Sequence, residues 1–254
     1  MHPPKEPQFH GAFMIAVATE RMIVAPTLEA PVTPTAGILA QALGELRRRD
    51  LAYAATKRTM DLLVAATLLV ILLPVFLAVA IAIRLETQGP IFYRGERIGR
   101  FGNRFTMVKF RSMRANCDPS THAAFVRTLL QDGTKCDLYK VPDDPRITRV
   151  GAFLRRTSLD ELPQLWNVLL GDMSLVGPRP DVPYAVENYA DWMHRRLDAK
   201  PGMTGLWQVS GRSRLSLLEM YRLDVSYVGS ASLANDFRIL VRTPSALLVR
   251  NGAA

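Results

Sequence analysis

A run without a charged residue extends from Leu62 to Ile83, and a proline, Pro74, stands inside it. About twenty apolar residues suffice to cross a hydrocarbon core, so this run constrains the chain more than any other feature. Its flanks add a second condition. Arg47, Arg48, Arg49, Lys57 and Arg58 precede it, and Arg84, Arg94, Arg97, Arg100 and Arg104 follow. The bias of basic residues toward the cytoplasm therefore places both ends on one side. Pro74 has no amide donor and its ring clashes with the preceding turn, which can split the helix into halves that enter and leave the same leaflet. A spanning helix with a tolerated proline kink satisfies the same composition. In both cases the following segment stays beside the membrane.

The 254 residues carry a formal charge of +9, which calls for an anionic partner: nucleic acid, a phospholipid surface or a phosphorylated substrate. At 48% hydrophobic the chain can build a packed core. Cys117 and Cys136 lie too far apart for a metal-ligand pair and have no histidine cluster beside them, so they read as reduced thiols. Residues 1–50, with "HPPKEPQ" and "EAPVTPTAG", read as a mobile Pro/Ala-rich leader. Residues 51–86 are the membrane-associated segment and 87–254 the remaining domain, on the cytoplasmic face.

Within that domain "GPIFYRGERIGRFGNRFTMVKFRSM" alternates apolar and polar residues around glycines, the pattern of a strand hairpin. If "RFTMVKFRSM" is one strand, Lys109 and Arg111 share a face, and two cations side by side suit a phosphate or diphosphate. A solvated basic edge is the alternative. "THAAFVRTLLQ" reads as a short helix, "DGTK" as a turn, and both "LLEMYRLDVSYV" and "DFRILVRTPSALLVR" as helices, the last either amphipathic enough to lie on lipid or a plain surface helix.

The densest chemistry lies in "PDDPRITRVGAFLRRTSLDELPQLWNVLLGDMSLVGPRPDVP". Asp160 and Glu161 are adjacent carboxylates, with Arg146, Arg149, Arg155 and Arg156 before them and Arg179 after. Ser158 and Glu161 have capping-box spacing. Pro163, however, favours a helix that starts at itself, with "QLWNVLL" as its body and Gly171 as its end. An aspartate is ionised at neutral pH and can attack phosphorus without a base. A neighbouring carboxylate can hold Mg2+ together with substrate phosphates. "GPRP" fixes an extended turn that presents Arg179, and Trp207 sits in the Gly-rich "KPGMTGLWQVSGRS". Neither a Walker A nor a dinucleotide fingerprint is present, nor a nucleic-acid reading motif.

"KRTMDLL" with Pro74, "GPIFYRGERIG", "FTMVKFRSM", "SLDELPQLWNVLLGDMSLVGPRP", "KPGMTGLWQVSGR" and "LDVSYV" together resemble the bacterial sugar transferases, the monotopic polyprenol-phosphate phosphoglycosyl transferases. The likeness runs from about Lys57 to the C-terminus and is closest to the short, exopolysaccharide-initiating form that transfers galactose or glucose phosphate. It implies an α+β fold in which a re-entrant membrane hairpin precedes a small mixed catalytic domain with interfacial amphipathic helices. It also implies the bacterial inner membrane as location, with the catalytic domain on the cytoplasmic face. Asp160 would attack the β-phosphate of a UDP-sugar, release UMP and pass the phosphosugar to polyprenyl phosphate. Glu161 would act beside it in catalysis and bind Mg2+. Lys109, Arg111, Arg155 and Arg179 would contact phosphate or nucleotide, with Asp224 a further substrate-binding candidate. No nucleic-acid partner is expected, and a homodimer or contact with later-acting glycosyltransferases stays open.

The chain departs from the family's pattern in three places. Leu73 stands where a serine commonly precedes the membrane proline, so a hydroxyl-assisted bend is not available. Ala231 occupies a common tryptophan position, and the leader matches nothing. A non-catalytic basic scaffold and a glycosyltransferase that releases UDP are the competing readings.

Overall fold

At Pro74 the apolar run breaks. In the computed structural model, which describes residues 36–114, 144–211 and 214–248, helix α1 (Ala36–Ile71) stops at Leu72 and helix α2 (Leu73–Glu86) starts with Pro74 in its first turn. Proline is tolerated there because first-turn amides have no intrahelical partner. The segments Asp50–Ile71 and Leu73–Glu86 meet at 60°. No single helix among the described residues is long and apolar enough to cross a membrane, although this bent pair passes that test as a unit. The bend forms without a serine, since the missing proline donor already interrupts the ladder.

Helix α1 begins at Ala36, inside the stretch read as an aperiodic leader, where Ala, Leu and Gln favour a helix. The chain divides into two compact units, 1–45 and 46–254, and the contacts described below lie in the second. The expected helix at "THAAFVRTLLQ", the turn at "DGTK", both cysteines and the residues before Ala36 lie outside the described residues.

After α2 the chain forms the expected hairpin: β1 (Phe92–Ile98) pairs antiparallel with β2 (Arg104–Phe110), in register from Phe92↔Phe110 to Ile98↔Arg104. Helix α3 (Arg149–Thr157) is capped by Thr148, whose hydroxyl accepts the Gly151 amide at 2.9 Å. Helix α4 (Gln164–Leu170) follows Pro163 and ends at Gly171, whose φ of 94° is a left-handed conformation that glycine adopts without a steric penalty. Two three-residue strands, β3 (Ser174–Val176) and β4 (Gly202–Thr204), pair in parallel. Gly177 and Gly202 allow that approach: a Cβ on Gly202 would stand 2.1 Å from the Gly177 nitrogen. Short helices α5 (Pro183–Val186) and α6 (Leu206–Ser210) lead to α7 (Leu217–Gly229) and α8 (Leu233–Leu248). The fold is mixed α+β, mostly helical with two small sheets.

The main core joins α1 to the domain. Ala65 packs with Met107, Leu165, Val168, Val176, Tyr227 and Ile239, while Val79 and Ile83 of α2 pack with Phe110 and Leu154. The opposite faces of the two helices carry exposed Leu63, Val70, Ile71, Leu73, Leu77 and Leu85.

Candidate active site

The two adjacent carboxylates sit where α3 gives way to α4. Ser158 closes α3 in the left-handed region, at φ 58°, and a single 3-10 turn, Leu159–Glu161, follows. Ser158 is therefore a helix C-terminus and not the start of a capping box. The capping box in this chain lies at Ser216 and Glu219, at the head of α7. The tight turn sends Asp160 and Glu161 toward β2, and Asn167 of α4 fixes that strand alongside. The Asn167 amide donates to Thr106 O at 2.8 Å, and its Oδ1 accepts the Val108 amide at 3.0 Å, so a side chain continues the strand's hydrogen bonding. Lys109 is the next residue.

Glu161 is held by two cations. Its Oε1 accepts Lys109 Nζ at 2.9 Å and an Arg179 nitrogen at 2.5 Å, and its Oε2 accepts the other Arg179 nitrogen at 3.2 Å. Burial works to raise this carboxyl, but Arg179 and Lys109 outweigh it and hold Glu161 well below the usual carboxylate range. Lys109 is pushed down by burial, with Glu161 opposing.

Asp160 differs. It is 8% exposed, yet among the described residues its carboxylate accepts no hydrogen bond. Burial pushes its titration up against the pull of Lys109; the Glu161 charge adds to the rise, while Arg179 and Arg155 oppose it. One of two neighbouring carboxylates is thus ion-paired through both oxygens, and the other is desolvated, faced by three cations and, among the described residues, unbonded.

The remaining sequence candidates divide. Arg155 stays near the pair, its Nε donating to Ser112 Oγ at 2.9 Å. Arg111 does not join Lys109 at the carboxylate pair, although its amide continues the hairpin by donating to Ile91 O at 2.9 Å. Its guanidinium turns to the end of α2, donating to Gln88 O at 2.6 Å and to Thr87 O at 2.9 Å. Asp224 is wholly buried and bound to Arg196, whose Nε and second terminal nitrogen lie 3.0 and 2.7 Å from its Oδ2.

Sequence reasoning missed the fastening of α1 to this site. Lys57 donates to Asp236 at 2.8 Å and to Val176 O at 3.0 Å. Arg58 closes the last turn of α4 through Val168 O and Leu169 O, at 2.6 and 2.8 Å. Asp61 accepts the Leu175 amide at 3.0 Å. The signal was present in "KRTMD", since Lys57 and Asp61 lie four residues apart on one helix face.

For a metal, no three carboxylates, histidines or cysteines gather among the described residues. The described residues thus form no protein-only cage. Magnesium usually takes one or two carboxylates and completes its shell with substrate phosphates and water. Glu161 fits that demand, because its Oε2 takes a single, long hydrogen bond and keeps a lone pair.

Adjacent carboxylates under a lysine and two arginines, on a small α+β domain, define an anion-handling site of the kind phosphate chemistry uses. The chain belongs to the bacterial sugar transferase family, whose sequence model matches residues 52–250. It is 44% identical over 197 residues to a UDP-galactose-lipid carrier transferase of Erwinia amylovora, covering 78% of this chain and 41% of that protein. It is 40% identical over 198 residues to the exopolysaccharide production protein ExoY of Sinorhizobium fredii, covering 78% and 88%. A UDP-glucose:undecaprenyl-phosphate glucose-1-phosphate transferase of Xanthomonas campestris pv. campestris is 38% identical over 203 residues, covering 77% and 39%. The chain thus spans about two fifths of the first and third relatives and most of the second.

Proposed function

We propose that this chain transfers a sugar 1-phosphate from a UDP-sugar to a polyprenyl phosphate of the undecaprenyl type, through a covalent phosphosugar on Asp160, and so begins an exopolysaccharide or another surface glycan. The observation that carries this reading is the contrast between the two carboxylates. Asp160 is desolvated and accepts no hydrogen bond among the described residues, whereas Glu161 is engaged by Lys109 and Arg179. An unbonded carboxylate keeps its lone pairs for attack, and its desolvation has already occurred on folding.

In the first step an Asp160 oxygen forms a bond to the β-phosphorus while the bond from that phosphorus to the bridging oxygen breaks, and UMP departs with the electron pair. In the second, an oxygen of the polyprenyl phosphate bonds to the same phosphorus and the Asp160 carboxylate leaves, which gives a polyprenyl diphosphate sugar. Lys109, Arg155 and Arg179 stabilise charge on the transferred group. Mg2+, held through Glu161, would offset repulsion between a carboxylate nucleophile and a diphosphate. The names of the relatives include both galactose and glucose donors; either sugar suits this reading.

The exposed apolar faces of α1 and α2 support seating at the inner membrane, and the basic residues on both flanks of the apolar run support a catalytic domain on the cytoplasmic face. Leu63, Val70, Ile71, Leu73, Leu77 and Leu85 are large apolar side chains exposed on these two helices, as a lipid-facing surface requires. The 60° bend between the helices suits a re-entrant hairpin, with Lys57 and Arg94 on the same side. Cysteines placed at exposed Thr56, next to Lys57, and at exposed Arg94 are expected to react with one impermeant reagent from the cytoplasmic side; labelling from opposite sides would replace the hairpin with a crossing.

The test of the chemistry is incubation of purified protein with UDP-galactose or UDP-glucose, Mg2+ and undecaprenyl phosphate, followed by nucleotide analysis and intact mass. UMP release is expected, with a phosphosugar adduct that disappears when acceptor is added. Release of UDP with no adduct would establish a single-step glycosyltransferase, and no nucleotide product would leave the basic scaffold reading.

A further inference from the structure

Behind the GPRP turn lies a buried polar cluster that the proposed reaction does not use. Arg196 is 4% exposed and reaches four partners at once. It donates to Asp224 Oδ2 at 3.0 and 2.7 Å, to Asp181 Oδ2 at 3.4 Å, to the Tyr189 hydroxyl, and to the backbone carbonyl of Arg179 at 2.9 Å. The Tyr221 ring lies under the guanidinium, 4.0 Å from its carbon, and both tyrosine hydroxyls donate to Asp181.

The contact with the Arg179 carbonyl links this cluster to the active site. Arg179 stands between Pro178 and Pro180, neither of which has an amide to donate. The turn is therefore held through the Pro178 and Arg179 carbonyls and through the Arg179 amide, which faces Asp224. Pro178 O accepts the Gly202 amide at 2.8 Å, and Arg179 O accepts Arg196. The first anchor is backbone and belongs to the β3–β4 crossing. The second is a side chain, supplied from a 3-10 segment, Asp191–Asp198, distant in sequence. Asp224 orients that side chain through two of its nitrogens.

We infer that Arg196, oriented by Asp224, is a positioning residue for the transfer reaction: it locks the Arg179 carbonyl so that the Arg179 guanidinium stays across Glu161 and faces the transferred phosphate. This rests on the proposed function, in which Arg179 serves the reaction. It also gives Asp224 a role through Arg196 in place of direct substrate contact. A guanidinium is required because its planar fork can bind a carboxylate and a carbonyl together; an ammonium is a point donor on a flexible stem.

The test is a double-mutant cycle. Arg196→Lys keeps the charge and is expected to lower kcat by roughly ten- to a hundredfold, the scale of a misplaced catalytic group. In an Arg179→Ala background the same substitution is expected to change kcat by less than about twofold, because residues acting through one another are non-additive. UDP affinity, read by calorimetry on all four proteins, should show the same pattern when turnover of Arg179→Ala is too slow to follow. Equal losses in both backgrounds would make Arg196 a structural residue only and overturn the inference. Wild-type turnover by Arg179→Ala would instead overturn the catalytic reading of Arg179. If Arg196→Lys fails to fold, Asp224→Asn, which leaves the guanidinium in place and weakens its orienting partner, enters the same cycle.

Discussion

Asp160→Asn is expected to abolish both UMP release and the phosphosugar adduct, lowering turnover by about a thousandfold or more, because an amide lacks the anionic lone pair that attacks phosphorus. Glu161 is not expected to take over, since its ion pairs with Lys109 and Arg179 draw its charge away from an attack on phosphorus. The folded protein is not expected to suffer. Burial raises the Asp160 titration, so folding penalises its ionised form, and stability from this group declines as pH rises from the ordinary carboxylate range through the raised one. At neutral pH a neutral asparagine removes that penalty, and the variant should unfold at or above the wild-type temperature. The same shift sets the acid limit of the wild-type reaction: adduct formation should fall off at a pH above about 4, where an unperturbed aspartate titrates. Glu161, held low, stays ionised throughout. Intact mass, nucleotide release and a thermal scan together check this. Turnover within tenfold of wild type would remove Asp160 as nucleophile.

The second large effect is on stability. Lys57→Met is expected to cost about 3–5 kcal/mol, the scale of breaking a buried ion pair from one side. Asp236 is fully buried and accepts Lys57, the Tyr53 hydroxyl at 3.0 Å and the Tyr227 hydroxyl at 2.6 Å. Burial, with the Asp236 charge next, pushes both phenols above their ordinary range, so they remain donors but bring no positive charge. Without Lys57 a carboxylate is left uncompensated between α1 and α8. Adding Asp236→Asn should recover much of the loss by removing that charge. Thermal unfolding in detergent checks both variants, and a single variant within about 1 kcal/mol of wild type would show that packing of Ala65, Tyr227 and Ile239 carries the joint.

Pro74, the strand hairpin, Gly171 and the Asp160–Glu161 pair were all legible in the sequence, since each depends on local geometry or on a motif several residues long. The parallel pairing of β3 with β4 was not: three-residue strands show no periodicity, and their contact depends on Gly177 meeting Gly202 across a long loop. Lys109 and Arg111 read as one cationic pair from alternation alone, but alternation does not say which acceptors lie within reach. Lys109 meets Glu161, whereas Arg111 meets the Thr87 and Gln88 carbonyls at the end of α2. Arg196 stands in "MHRRLD" as one basic residue among several, and nothing local distinguishes it from exposed Arg195. Its role depends on three acceptors distant in the chain, Asp181, Asp224 and Arg179 O. Asn167 was hidden in the same way, as a polar residue in an apolar helix whose partner is a strand edge about sixty residues earlier.

The end of α2 bears on both halves of the active site. Glu86 accepts the first amides of α3, from Arg149 at 2.7 Å and Val150 at 3.0 Å, and Thr87 and Gln88 accept Arg111 just beyond β2. The helix that leads to Asp160 and the strand that delivers Lys109 therefore share one mounting point at the exit of the bent pair. With the hairpin seated as proposed, a thicker or thinner bilayer raises or lowers that mount as a whole. Such a change alters how far a lipid phosphate must rise to meet Asp160, while the spacing of Asp160, Glu161 and Lys109 stays fixed. Sensitivity to lipid composition should thus fall on the acceptor step and spare the formation of the sugar-phosphate adduct.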